Sequence, residues 1–126
     1  MPNGSCLCGA VEFTVSAELI PPVACHCAQC RKQSGHYWAA SDVARDALTI
    51  IGQEHLSWFQ SSPGIQRGFC QTCGSFLFWD DRASASISVA MGAFDAPTAT
   101  TLGRHIFVAD QGDYYTIADG LPQRPQ

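Results

Sequence analysis

Apolar and polar residues alternate in short runs along this chain, with a period of two rather than the three-to-four of an amphipathic helix. Val11, Phe13 and Val15 alternate with Glu12 and Thr14, the pattern of a strand with one buried face. Further strands are predicted at 36–40, Leu48–Ile51, 55–60, Ile65–Cys70, 75–79, 84–89 and 105–108. Turn residues punctuate them: Pro21-Pro22, Ser61-Ser62-Pro63-Gly64 and Asp80-Asp81-Arg82. Only Ala28–Ser34 reads as helix, one turn or two, stopped by Gly35. A tail at 118–126 contains proline and reads as extended. The predicted class is therefore mainly β with little helix.

Size and charge narrow the picture. The 126 residues read as a single domain spanning 1–126, long enough to bury a core of its own. A formal net charge of -4 and the lack of a basic run argue against a nucleic-acid partner. No apolar stretch approaches the ~20 residues of a membrane-spanning helix. Residues 1–9 lack the basic region and apolar run of a secretory leader, so a cytoplasmic location is expected. The oligomeric state is not legible.

Seven cysteines change the picture most. They fall into C-x-C at Cys6 and Cys8, C-x-C-x-x-C at Cys25, Cys27 and Cys30, and C-x-x-C at Cys70 and Cys73, with Gly74 following. Residues i and i+2 of an extended segment face one way, so each C-x-C aims two thiolates at one point. A C-x-x-C turn does the same through a tight knuckle. Cys25, Cys27 and Cys30 are local enough to share one metal. The pairs Cys6/Cys8 and Cys70/Cys73 are each incomplete alone and complete a four-sulfur site together. Four thiolates close a zinc tetrahedron; three leave one position open. Two zinc ions per chain are expected, one structural and one reactive. Disulfides fit poorly, because the cysteine count is odd and C-x-C bridges are strained.

The neighbours of these clusters have competing readings. Arg31 and Lys32 follow Cys30 and either meet a substrate's carboxylates or form a solvated face. Arg67, three residues before Cys70, either reaches the reactive site or pairs with Asp80 or Asp81. His26, between two ligands, should point away from the metal and take a neutral, hydrogen-bonded role. His36 either closes the tripod as a fourth ligand or stands at a strand start facing solvent or a carboxylate. The open position of the second zinc thus belongs to water, a substrate thiol or His36. His55 and His105 read as structural, Trp38, Trp58, Phe76, Phe78 and Trp79 as core or interface aromatics, and Tyr37 as core or cleft lining.

The three clusters with their flanks carry a family resemblance. Gly4-Ser5-Cys6-Leu7-Cys8-Gly9-Ala10-Val11, Cys25-His26-Cys27-Ala28-Gln29-Cys30-Arg31-Lys32 and Phe69-Cys70-Gln71-Thr72-Cys73-Gly74-Ser75 resemble the glutathione-dependent formaldehyde-activating enzyme family. The tail His105-Ile106-Phe107-Val108 and Asp119-Gly120-Leu121-Pro122-Gln123 is similar too, so the likeness covers about residues 4–123. One departure is Asp113-Tyr114-Tyr115, where a tryptophan is expected. The resemblance implies a β-tent fold with zinc-ribbon-like knuckles. It implies a structural zinc on Cys6, Cys8, Cys70 and Cys73, and a catalytic zinc on Cys25, Cys27 and Cys30. The implied activity is that of a carbon–sulfur lyase or synthase joining glutathione and formaldehyde as S-hydroxymethylglutathione, with Arg31, Lys32 and Arg67 as candidate substrate contacts.

Elementary chemistry agrees. A free thiol has a pKa near 8.5, and coordination to zinc removes its proton outright. Three thiolates on zinc leave a net charge of about -1, and a fourth, from substrate, about -2. Such a sulfur is electron-rich enough to attack an aldehyde carbon. Two other functions fit the cysteines: a non-enzymatic zinc module that binds a macromolecule, and a zinc- or redox-responsive thiol protein.

Overall fold

The alternation becomes ten strands and one helix in the computed structural model, which describes residues 1–126. Strands β1 (Asn3–Ser5), β2 (Glu12–Val15) and β5 (Leu48–Ile51) form a three-stranded antiparallel sheet in the order β1-β2-β5. The other seven are β3 (Val23–Cys25), β4 (Trp38–Ala44), β6 (Leu56–Ser62), β7 (Ile65–Cys70), β8 (Phe76–Asp81), β9 (Ser86–Ala90) and β10 (Arg104–Ile106). They lie in the order β10-β3-β4-β9-β8-β7-β6, and only β10 and β3 run parallel. The chain is mainly β, as its periodicity predicts.

The two sheets bury one core between them. Val11, Phe13 and Val15 are each 1% exposed or less, and they meet Leu77, Phe78 and Val89 of the larger sheet. Phe13 is the pivot: its ring packs edge-on against Phe78 at 5.7 Å and Phe94 at 5.0 Å. Each such ring contributes about 1.5–3 kcal/mol by burial. Cys6 and Cys70 belong to the same buried cluster, so the first sulfur site is built into the core.

Helix α1 (Ala28–Ser34) follows the predicted span. Cys27 caps it, its sulfur accepting from the Cys30 amide, and Gly35 ends it at φ 88°, a conformation that side chains with a Cβ rarely adopt. Several boundaries move. The strand expected at 36–40 runs instead over Trp38–Ala44, because the Ser34 hydroxyl bonds the carbonyls of His36 and Tyr37 and holds them in a turn. Phe107 sits at φ 55°, which stops β10 at Ile106 rather than at 108. The strand expected from 84 begins at Ser86, since the Ser84 hydroxyl accepts from the Ser86 amide.

Asp80 and Asp81 are not turn residues but end β8. Asp80 is 5% exposed and accepts from Arg45 Nη2 at 2.7 Å and Gln66 Nε2 at 2.9 Å. Burial opposes its ionisation, but these donors outweigh it and hold the carboxyl below its ordinary value of 3.8. A depressed acid stabilises the fold above its unfolded pKa and loses that contribution as pH falls through the folded one. The melting temperature of the protein should therefore fall more steeply below pH 4 than that of Asp80→Asn, measured as melts against pH.

Register divides the larger sheet into two faces. Cα partners Ile106↔Cys25↔Trp38 and Arg104↔Val23↔Ala40 share one face with Asp42↔Ser88↔Trp79↔Arg67. The opposite face carries Ser41, Val43, Ile87 and Val89 into the core. At the β3–β10 edge it carries Ala24 and His105, which are also partners. One sheet face thus faces the core and the other is left for the site.

Candidate functional site

Seven unpaired thiols converge as two clusters whose ligand atoms lie within 4.8 Å of one another: Cys6, Cys8, Cys70 and Cys73, and Cys25, Cys27 and Cys30. In the first, Cys6–Cys8 and Cys8–Cys70 sulfurs are 3.6 and 3.7 Å apart. Zinc–sulfur bonds of ~2.3 Å give a tetrahedron with edges of about 3.8 Å, and a disulfide needs ~2.05 Å, so the spacing fits a shared metal. Backbone amides support the sulfurs: Val11 N–H donates to Cys6 Sγ at 3.3 Å and Cys73 N–H to Cys70 Sγ at 3.5 Å. Bonds from the Ser75 hydroxyl and amide lower Cys73 to about 5.

The second cluster stands at the N-terminus of α1. Cys25 ends β3 and Cys27 precedes the helix, so both face the same way, while Cys30 comes one helical turn later. The three sulfurs titrate as a unit. Cys25 and then Cys30 bond to Cys27 and hold it far below the ordinary thiol value. The same contacts, Cys27 first, and burial push Cys25 up. The set contains the three cysteines and not His36. His36 instead bonds the Tyr114 hydroxyl through Nδ1 at 3.2 Å and packs edge-on against Tyr115.

Arg67 is the charged residue built into this centre. It is 3% exposed and donates to Cys30 Sγ at 3.5 Å, Gln33 Oε1 at 3.0 Å, Gln29 Oε1 at 3.0 Å and Ser61 Oγ at 3.1 Å. Its expected alternative, pairing with Asp80 or Asp81, does not occur, because Arg45 holds Asp80. Next in β7, Gly68 leaves room for the Trp58 ring, which an added Cβ would meet at 2.8 Å. Arg31 donates from Nε to the Asp110 carbonyl at 3.3 Å, and Lys32 is exposed. Neither lines the cavity described next, whereas Arg67 does.

Cys25, Cys27, Cys30 and Arg67 form part of the wall of a cavity of about 960 Å3 over the free face of the larger sheet. His26, between two of the cysteines, points to the other side and is fully buried. There it begins a chain of hydrogen bonds. Its Nδ1 bonds the Tyr115 hydroxyl, its Nε2 bonds His105 Nδ1 at 2.8 Å, and His105 Nε2 bonds Asp119 at 2.8 Å. The His105 bond holds the Asp119 carboxyl below its usual range, and burial lowers His26. With neutral imidazoles, His105 Nε2–H donates to the carboxylate, His26 Nε2–H to His105, and the tyrosine O–H to His26. The chain pins the C-terminal tail to the cysteine segment.

Gln29, Gln33, Tyr115 and Asp119 are the residues that sequence reasoning missed. The two glutamines stand at i and i+4 on the helix that carries Cys30, a spacing that marks a common face. Tyr115 and Asp119 carry no local signal. The expected neutral, hydrogen-bonded role of His26 is what its geometry displays.

A small mainly β protein with a four-sulfur cluster anchored in its core by Cys6 and Cys70 and a three-sulfur cluster on a cavity wall is the class these features define. The family pattern described as glutathione-dependent formaldehyde-activating enzyme matches residues 1–110, and the chain belongs to that family. A Halomonas elongata protein assigned by name to these enzymes is 34% identical over 91% of this chain and 80% of its own. A Schizosaccharomyces pombe protein named an uncharacterized lyase is 29% identical over 61% of this chain and 56% of its own. A crystal structure of a Rhodobacter sphaeroides protein superposes with a TM-score of 0.64 at 25% identity, covering 79% of this chain and 98% of that one. No helix is long and apolar enough to cross a membrane.

Proposed function

We propose that the protein is a zinc-dependent carbon–sulfur lyase or synthase that joins glutathione to formaldehyde and acts in the cytoplasm. One observation carries this reading. Three cysteines converge without a fourth protein ligand at a cavity wall, while the other four converge at the edge of the core, with Cys6 and Cys70 buried in it. The family name and the names of its relatives support the substrates. Cys6, Cys8, Cys70 and Cys73 would hold a structural zinc, and Cys25, Cys27 and Cys30 a catalytic one.

Zinc held by Cys25, Cys27 and Cys30 would supply Lewis-acid chemistry that lowers the pKa of a substrate thiol into the neutral range. The residues of the chain do the rest. Cys27 caps α1 and Cys30 lies in its first turn, so the helix start fixes these two sulfurs relative to each other. The Arg67 guanidinium offsets the negative charge of the sulfurs through Cys30 and is itself locked by Gln29 and Gln33. In the reaction the glutathione sulfur bonds the carbonyl carbon, the carbonyl π pair moves to oxygen, and that oxygen takes up a proton. Nothing is oxidised or reduced. The test is exchange spectroscopy by NMR on glutathione and formaldehyde at equilibrium. Interconversion should run faster than the protein-free blank and return to it when a chelator strips the metal; equal rates with and without loaded protein would refute the reading.

The His26–His105–Asp119 chain should matter to the metal rather than to the fold alone. Partners bonded directly to a metal ligand change metal affinity about 10–100-fold when removed, and this chain acts one step further back, through the backbone between Cys25 and Cys27. His105→Leu is expected to weaken second-site metal binding toward the lower end of that range, about tenfold, and to leave the four-cysteine site loaded, read by chelator competition.

A further inference from the structure

Glutathione needs more than a place for its sulfur, and the cavity beside the three cysteines has room for the whole tripeptide. It measures about 960 Å3, near the upper end of the range for small-molecule pockets. Its floor is the free face of the larger sheet, where β3, β4, β7, β8 and β10 contribute Val23, Trp38, Ile65, Trp79 and Ile106. Such a floor packs against the stem of a peptide but cannot hold its charges. At neutral pH glutathione carries a carboxylate at its glycine end, and both a carboxylate and an ammonium on one carbon of its γ-glutamyl end.

Four charged side chains line the walls: Asp42, Arg67, Arg104 and Asp110. Two are committed within the protein. Arg67 is held by two glutamines, a serine and Cys30, and Asp42 accepts from Ser88. Arg104 and Asp110 are exposed and form no ion pair, with each other or with any other residue. Uncommitted charges are common on protein surfaces. These two differ in lining the cavity of the cysteine centre and in carrying opposite signs on one short segment.

The fold places both. Arg104 begins β10 and shares a face with Ile106, two residues on. Ile106 is the register partner of Cys25, so strand spacings put the Arg104 and Cys25 Cα atoms about 8 Å apart. A tripeptide extends to at most about 11 Å, so a ligand with its sulfur at the cysteine centre reaches this rim. Phe107, at φ 55°, then swings the chain into the short turn Val108–Asp110. Arg31 Nε donates to the Asp110 carbonyl at 3.3 Å and ties that turn to α1, the helix that carries Cys30.

We infer that Arg104 and Asp110 recognise the γ-glutamyl head group of the thiol substrate, Arg104 meeting its α-carboxylate and Asp110 its α-ammonium. This inference rests on the proposed function and names the contacts that select its thiol. Opposite signs set the orientation. The glycine end carries a carboxylate alone, and placing it at Arg104 would leave Asp110 facing a negative group. The γ-glutamyl end satisfies both residues. No other uncommitted cation lines the cavity, so the glycine carboxylate stays in solvent.

Calorimetric titration of the zinc-loaded protein with thiols that differ by one group tests this. γ-Glutamylcysteine, which lacks the glycine, should bind within about threefold of glutathione. Cysteinylglycine, which lacks the head group, should bind at least about tenfold more weakly. Arg104→Gln should weaken glutathione about three- to tenfold and leave cysteinylglycine within about twofold, since the lost contact belongs to the head group. Asp110→Asn should cost glutathione a similar factor. It should not weaken glutaryl-cysteinylglycine, which keeps the carboxylate and has no ammonium. A residue that only shapes the fold would weaken every thiol alike, and near-ultraviolet circular dichroism reports whether each variant is folded.

Cysteinylglycine matching glutathione, γ-glutamylcysteine as weak as cysteinylglycine, or folded variants that weaken all thiols alike would each overturn the inference. Glutathione–formaldehyde exchange that still outpaces the protein-free blank then leaves the proposed function standing. Exchange equal to the blank, with binding that selects the head group, refutes the proposed function and leaves these contacts in place. No saturable binding of any thiol overturns the inference whatever the exchange rate.

Discussion

Cys70→Ser is expected to lower the metal content from two ions per chain to one and to unfold the protein at a far lower temperature. Cys70 is fully buried in the cluster that contains Phe13 and Phe78, and it ends β7. Its site joins the segment holding Cys6 and Cys8 to a knuckle some sixty residues further on, with Cys8 and Cys70 sulfurs 3.7 Å apart. Structural zinc sites contribute about 10–16 kcal/mol in peptides, while whole domains are stable by only about 5–15 kcal/mol. Losing even about 4 kcal/mol corresponds to roughly 12–20 °C for a domain of this size. Metal analysis and thermal melts of the purified variant check it. A melt within a few degrees of the parent would show that the core holds without this site.

Cys27→Ser should behave in the opposite way: folded, close to the parent in melting temperature, and inert toward thiols. The substitution suits the fold because Cys27 is the cap of α1, its side chain accepting from the Cys30 amide. Serine is among the preferred residues there, whereas losing the cap costs about 0.5–2 kcal/mol. What serine cannot supply is a third thiolate, so the second centre loses charge and metal affinity together. Melts, metal content and the NMR exchange rate report the three properties separately. If Cys27→Ser melts lower than Cys70→Ser, the structural and reactive roles of the two centres are reversed.

Local features of the chain were readable from sequence, and contacts across it were not. The grouping of the cysteines, α1 with its stop at Gly35, and the hairpin β7–β8 around the Cys70–Cys73 knuckle each depend on residues close in sequence. The i, i+2 rule also put His26 behind the cysteines. Two adjacent acids suggest a solvated turn, whereas the bonds from Arg45 and Gln66 that keep Asp80 inside come from segments distant in sequence. Arg67 likewise found its partners on α1, thirty or more residues away. The chain from Tyr115 through His26 and His105 to Asp119 joins segments some ninety residues apart. Parallel pairing of β10 with β3 makes it, and no period in the sequence announces such pairing. The cavity floor escaped for the same reason: it exists only once strand register has placed residues from five strands on one face.

The most direct test of the two-centre arrangement is the visible spectrum of the protein with cobalt(II) in both sites during a glutathione titration. Cobalt reports its sulfur ligands through charge-transfer and d–d bands. A saturable change that is present in the parent and absent in Cys27→Ser would show a thiolate entering the centre of Cys25, Cys27 and Cys30, as expected here. A flat titration with both sites loaded would mean that this centre does not accept the thiol, and would contradict the assignment.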